Sequence, residues 1–355
     1  MFLLFRIQNF PPFDFPSFSI HNPLIVLTLS QRLLTLLQFT RIALVFTAIS
    51  NGWAAMLLQS RATGEGITPA YAMAQTLVSI GLYAFGMALN DVIDRRRDSQ
   101  VAAHRPLPSG RLTVPAAHFV CALLALIALA GGAWMAIEHP GQWISLGVLL
   151  GTLALIIFYD FAGKYLVAMG LLSLGLIRFF HASIAAPTLA IPWHAILLLL
   201  HVTILSTVCY GLEDKRPRLT RRHWASVSSG LVLVIGILLT LLITRRGGDF
   251  SQWQAALSVK PGLIFPAIAA AGFVVLAALI IRRTPDSRTA GRTLMLYGLL
   301  WLILYDAAFV FGYVNWKWSL AVLGLLPVAW LAVQAMRAWS TLLELSAKPQ
   351  YQRAR

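Results

Sequence analysis

Apolar runs long enough to cross a bilayer recur along almost the whole chain, separated by short polar stretches. They fall at residues 42–59, 69–90, 114–136, 142–159, 165–186, 193–212, 224–244, 263–281, 294–314 and 318–336. A membrane-spanning helix needs about 20 mostly apolar residues. The pattern therefore predicts an all-α integral membrane protein, a bundle of about nine to ten transmembrane helices.

Composition agrees. Of 355 residues, 58% are hydrophobic and only 12% are charged, and the mean hydropathy is +0.74. A soluble domain carries about 25% charged residues, so a soluble fold is excluded. Cys121 and Cys209 both sit in apolar runs and read as small buried hydrophobes. No disulfide framework or zinc spacing is present.

The formal net charge of +15 raises the question of a nucleic-acid partner. Its distribution answers no, because the basic residues lie in the short loops. Counted on alternate sides of the ten spans, twenty-two of the 28 Lys and Arg fall on the side holding both termini and the loops 91–113, 160–164, 213–223 and 282–293. Arg61, Arg245, Arg246, Lys260 and Lys317 fall on the other side, and Arg178 lies inside a span. The positive-inside bias then places both termini in the cytoplasm of a bacterial-type inner or plasma membrane. One membrane domain, 41–340, is expected between an N-terminal segment, 1–40, and a cytoplasmic tail, 341–355. Pro11, Pro12, Pro16 and Pro23 interrupt any signal-peptide core, and no small-residue cleavage site follows. The Phe/Pro-rich start is expected to be disordered, and 24–39 to form a short helix at the interface.

The 13 acidic residues are the informative ones. Asp91, Asp94, Asp98, Asp160, Glu213 and Asp214 gather at the cytoplasmic ends of the second, fourth and sixth spans. Carboxylates at a low-dielectric boundary are costly unless paired or bound to metal. Asp91, Asp94 and Asp98 are spaced i, i+3, i+7, so a continuing helix puts all three on one face. Their repulsion is relieved either by a hard dication such as Mg²⁺, which takes one or two protein carboxylates plus water and phosphate, or by Arg95, Arg96 and Arg97 beside them. Downstream come His104-Arg105-Pro106-Leu107-Pro108-Ser109-Gly110-Arg111, then Tyr159-Asp160-Phe161-Ala162-Gly163-Lys164, then Glu213-Asp214-Lys215-Arg216-Pro217-Arg218. One membrane face thus carries acids for a cation and bases for an anion, which magnesium with diphosphate satisfies together.

At these residues the sequence resembles the UbiA superfamily of intramembrane prenyltransferases. Asn90-Asp91-x-x-Asp94-x-x-x-Asp98 is similar to that family's first aspartate motif, Arg105 to Arg111 to the stretch that follows it, and Tyr159 to Lys164 to its Tyr-x-x-x-x-Lys segment. The resemblance covers roughly residues 41 to 340. It implies a helical bundle, usually of nine spans, with a central cavity open toward membrane lipid. It also implies Mg²⁺-assisted transfer of an isoprenoid from a polyprenyl diphosphate donor to a hydrophobic, often aromatic, acceptor. A tenth span departs from the family, and so does the second aspartate motif. Glu213 and Asp214 are adjacent, about 100° apart on a helix, and Lys215, Arg216, Pro217 and Arg218 stand where further acids belong. Either one metal position is lost or the arginines take over part of the phosphate neutralisation.

Carried over, the resemblance implies metal binding by Asp91, Asp94 and Asp98, with Asp214 from the degenerate motif. Diphosphate contacts are implied for Asn90, Arg105, Arg111, Tyr159, Lys164 and Arg216. Arg178, inside the fifth span, reads either as an acceptor contact or as the structural partner of Asp306 in the ninth, and Asn51 either as a pocket residue or as a helix-to-helix hydrogen bonder. His181 and His201 read as hydrogen-bonded core residues, and Trp316 and Trp318 as part of an interfacial belt. The competing reading is a transporter or lipid-phosphate-handling protein without chemistry.

Overall fold

The computed structural model describes residues 29–138, 143–189, 191–245 and 260–347, and over them the chain is helical. The Phe/Pro-rich start, expected to be disordered, lies outside the described residues. The helices are α1 (Leu29–Phe39), α2 (Val45–Thr63), α3 (Pro69–Ile93), α4 (Arg95–Val101), α5 (Val114–Glu138), α6 (Trp143–Phe161), α7 (Val167–Ala185), α8 (Pro192–Leu212), α9 (Arg221–Arg245), α10 (Ile264–Arg283), α11 (Ser287–Tyr313), α12 (Trp316–Leu323) and α13 (Leu325–Ala347). Ten segments are long and apolar enough to cross a membrane: α2, α3, each of α5 to α11, and α12 with α13 together. The last helix continues to Ala347, past the boundary at 340 drawn from the sequence.

Local chemistry starts and stops these helices where the sequence allows. Pro69 opens α3 and the Thr68 hydroxyl accepts from the Tyr71 amide at 3.0 Å. Asp286 caps α11 through the Thr289 amide at 2.8 Å, and Asn315 caps α12 through the Trp318 amide at 3.0 Å. Gly64, at φ 78°, ends α2 in the left-handed conformation that glycine adopts freely.

Helices inside a bilayer gain nothing by hiding apolar surface from one another, so close packing and hydrogen bonds hold them. Glycine makes the closest approaches here. A Cβ on Gly81 of α3 would stand 2.6 Å from the Ala128 amide nitrogen of α5, and one on Gly131 would stand 2.8 Å from the Ala74 carbonyl. α7 meets α8 in the same way: a Cβ on Gly175 would lie 2.6 Å from the Leu199 carbonyl. α2, α3, α7, α8 and α11 make the interior. α9 and α10 lie at the periphery with most of their apolar surface outward, including Val232, Leu233, Ile268 and Val274. An outward groove of about 680 Å³ runs between α6 and α7 along Gly147, Gly151, Phe158, Leu176 and Phe180.

Candidate functional site at one end of the bundle

α3 stops at Ile93, and Asp94 (φ −81°, ψ 1°) leaves helical geometry before α4 resumes at Arg95. That break divides the aspartate run. Asp91 and Asp98, both buried, turn to one side and share the Arg105 guanidinium, whose Nη1 lies 2.6 Å from Asp98 Oδ2 and 3.6 Å from Asp91 Oδ1. Arg41 adds a second cation, its Nη2 2.7 Å from Asp91 Oδ1. Asp94 turns to the other side, 2.9 Å from Lys164 Nζ, and accepts from Asn90 Nδ2 at 3.2 Å. Lys164 also reaches Asp160 Oδ1, at 3.5 Å.

The three aspartates therefore do not present one undivided face. Their neutralising cations come from between α1 and α2, from the loop after α4 and from the turn after α6, not from Arg95, Arg96 and Arg97; Arg96 and Arg97 are exposed. Arg41 sits between α1 and α2 with left-handed backbone, φ 48°. Burial works against its charge, but Asp91 beside it, with Tyr83 and Asp98, more than compensates and leaves its pKa above the ordinary value.

Arg111 does not reach the acids. It donates to Gln38 Oε1 at 3.0 Å, to Ser109 Oγ at 3.0 Å and to the His104 carbonyl at 2.6 Å, tying the loop after α4 to α1. Burial lowers its pKa. Tyr159 is half-buried beside Asp160. The second acid pair finds its partners locally: Glu213 pairs with Lys215 at 3.1 Å and exposed Asp214 with Arg218 at 3.3 Å, while Arg216 is exposed.

Among the described residues no three acidic, histidine or cysteine side chains are gathered closely enough to hold a metal ion as they stand. The donor set nevertheless fits magnesium in its usual mode, with one or two carboxylates and the remaining positions filled by water and phosphate. Asp91 with Asp98, and Asp94 with Asp160, each converge on a single nitrogen.

Deep in the bundle is a second polar constellation. Asp306, fully buried on α11, accepts from Ser50 Oγ and Asn51 Nδ2, both at 2.6 Å, and lies 2.7 Å from His194 Nε2. Arg178 donates to Asn51 Oδ1 and to Thr47 Oγ1, each at 3.1 Å, and stands over the Tyr83 ring at 5.6 Å. A direct Arg178–Asp306 pair is not formed. His181 Nε2 meets Ser79 Oγ at 3.1 Å and His201 Nε2 meets the Gly298 carbonyl at 2.9 Å.

Sequence reasoning gave no role to Arg41, which it counted only among the N-terminal basic residues, nor to Asp160, which it placed at the rim. The His194–Asp306 contact joins residues 112 apart, and no local spacing signals it.

Fold and rim together define a multi-pass helical membrane protein with carboxylates and cations alternating at one end of the bundle. Residues 43–201 match the model of the UbiA prenyltransferase family. The chain is similar in fold to a structure of digeranylgeranylglyceryl phosphate synthase, at 18% identity and a TM-score of 0.53 over 80% of this chain and 99% of that one. A UbiA homologue from Archaeoglobus fulgidus bound to GPP and Mg²⁺ matches at 13% identity and a TM-score of 0.43, over 82% of this chain and 99% of that one. One from Aeropyrum pernix K1 matches at 18% identity and 0.40, over 82% and 97%. No curated protein matches the chain.

Proposed function

We propose that this chain transfers a polyprenyl group from its diphosphate to a hydrophobic acceptor, aromatic or lipid-like, within the membrane and with the help of Mg²⁺. The observation that carries the reading is the convergence of Asp91 and Asp98 on Arg105, and of Asp94 and Asp160 on Lys164, at one end of the bundle. With both termini cytoplasmic, this end faces the cytoplasm.

In the reaction the bond between the first prenyl carbon and a diphosphate oxygen breaks, its electron pair stays on the diphosphate, and the acceptor bonds to that carbon and releases a proton. Arg41, Arg105 and Lys164 are the cations placed to hold the leaving diphosphate, and preorganised charge of this kind acts most strongly where negative charge develops. Asp91, Asp94 and Asp98 are the residues that would hold Mg²⁺. When bound, the ion supplies further neutralisation of the leaving group. Packed helices keep water from the electron-poor prenyl carbon.

One observation favours a second reading, the binding of phosphate headgroups without bond cleavage: Glu213 and Asp214 pair with their sequence neighbours Lys215 and Arg218. A single experiment separates the two. Purified protein in lipid nanodiscs, given radiolabelled farnesyl and geranylgeranyl diphosphates with a membrane lipid extract, is assayed for released diphosphate. Magnesium-dependent release supports transfer, whereas tight binding with no release at any chain length overturns it.

A further inference from the structure

We propose that Asp160 is a positioning residue for the donor, holding the Lys164 ammonium at the rim whenever Asp94 is engaged elsewhere. The inference rests on the prenyl-diphosphate reading above.

Asp160 occupies the last turn of α6 and is 1% exposed. Its partner Lys164 is 10% exposed at the side chain, so the pair is buried at a low-dielectric boundary. The two are four residues apart, but no regular helix joins them. α6 ends at Phe161, Ala162 turns away at φ −135° and ψ −50°, and Gly163–Tyr165 forms a short 3₁₀ turn. Despite that break the ammonium folds back to Asp160. Its backbone is clamped as well: a Cβ on Gly170 of α7 would stand 3.0 Å from the Gly163 carbonyl and 3.1 Å from Lys164 Cα. Packing fixes where the Lys164 side chain starts, and two carboxylates fix where it ends.

Those carboxylates differ in what else they can do. Asp94 belongs to the aspartate run and has Asn90 as a second partner, while Asp160 has Lys164 as its hydrogen-bonded partner. A buried cation that loses its counter-charge is strongly disfavoured. With Asp94 drawn to a divalent ion, Asp160 is the anion left to keep Lys164 aimed at the diphosphate. The second acid pair offers no substitute, since Glu213 and Asp214 are paired with Lys215 and Arg218.

The test is a double-mutant cycle read by equilibrium binding. Full-length wild type, Asp160→Asn, Asp160→Glu, Lys164→Met and Asp160→Asn/Lys164→Met, all in nanodiscs, are titrated calorimetrically with farnesyl thiodiphosphate, a slow-reacting donor analogue, in Mg²⁺. Asp160→Asn is expected to weaken binding about tenfold, a decade being about 1.4 kcal/mol. Asp160→Glu should restore most of it, and Asp160→Asn should cost less than about twofold once Lys164 is already Met. Wild-type affinity in Asp160→Asn, a shift in thermal unfolding alone, or an equal loss in both Lys164 backgrounds would each overturn the inference. If Asp160→Asn does not fold, the same cycle is run on Asp160→Glu, whose smaller loss must likewise vanish in the Lys164→Met background. Failure of the wild type itself to bind the analogue sinks the prenyl-diphosphate reading and this inference together. Wild-type binding with a neutral Asp160→Asn sinks only the inference.

Discussion

Arg178 and Asp306 are joined through a third residue. Asn51 accepts from Arg178 with its carbonyl at 3.1 Å and donates to Asp306 with its amide nitrogen at 2.6 Å. A buried cation and a buried carboxylate thus share one neutral amide that satisfies both. Leucine at this position is close in volume but leaves an Arg178 N–H without its partner and leaves Asp306 Oδ2 with Ser50 as its remaining donor, and such losses cost roughly 1–3 kcal/mol per group. Asn51→Leu should therefore lower stability by about 2–4 kcal/mol, measured as detergent-solubilised thermal or denaturant unfolding. An unchanged midpoint would show that the network is dispensable.

The first aspartate run carries a different expectation. Asp91→Ala, Asp94→Ala and Asp98→Ala combined should abolish prenyl transfer, with single changes costing on the order of 10²–10³ in rate, the usual scale for losing one electrostatic stabiliser. Insertion and helix content, read by circular dichroism, should persist. Residual wild-type activity in the triple variant would remove the aspartates from the mechanism.

Arg105 and Arg111 lie six residues apart in one loop and should part ways. Arg105→Met deletes the cation shared by Asp91 and Asp98 and should weaken donor binding by at least about tenfold. Arg111→Met deletes one hydrogen bond that ties the loop to α1 and two that brace the loop itself, and should act first on stability, by roughly 1–3 kcal/mol. Donor titration beside thermal unfolding tells them apart, and interchangeable effects would contradict the geometry.

Glu213 and Asp214 supply a control. Both are paired locally, Asp214 in an exposed pair of the kind that contributes about 0–1 kcal/mol and Glu213 with the exposed Lys215. Glu213→Gln with Asp214→Asn should alter donor affinity by less than about threefold. A loss comparable to that of the first run would mean that the loop after α8 moves onto the rim when the donor binds.

Helix contacts make the last prediction. Valine at Gly81 places carbon against the Ala128 backbone of α5, where no side chain can yield. Gly81→Val should cost at least about 1–3 kcal/mol by overpacking, while the same change at Gly147, with open space around it, should be close to neutral in unfolding assays.

The ten spans were legible because the bilayer forces each one to be long and apolar. The acids of the rim were legible as well, since a carboxylate cluster beside a membrane is too costly to be incidental. Their partners were not. Arg41, Arg105 and Lys164 reach Asp91, Asp98 and Asp94 from other elements, through a break at Asp94 that no residue type announces. The i, i+3, i+7 spacing pointed to a single shared face, and that break divides it. Of the two readings of Arg178, the structural link to Asp306 runs through Asn51 of α2 rather than directly.

Because every rim acid already has an internal counter-ion, a bare anion arriving there would have to pull Arg105 or Lys164 off a carboxylate and strand it. A bare dication would likewise displace an ammonium or guanidinium with nowhere to go. Delivered together, each releases the group the other needs. On the proposed function, donor and magnesium are then linked ligands, each tightening the other by the same factor, and either one alone should bind the rim weakly.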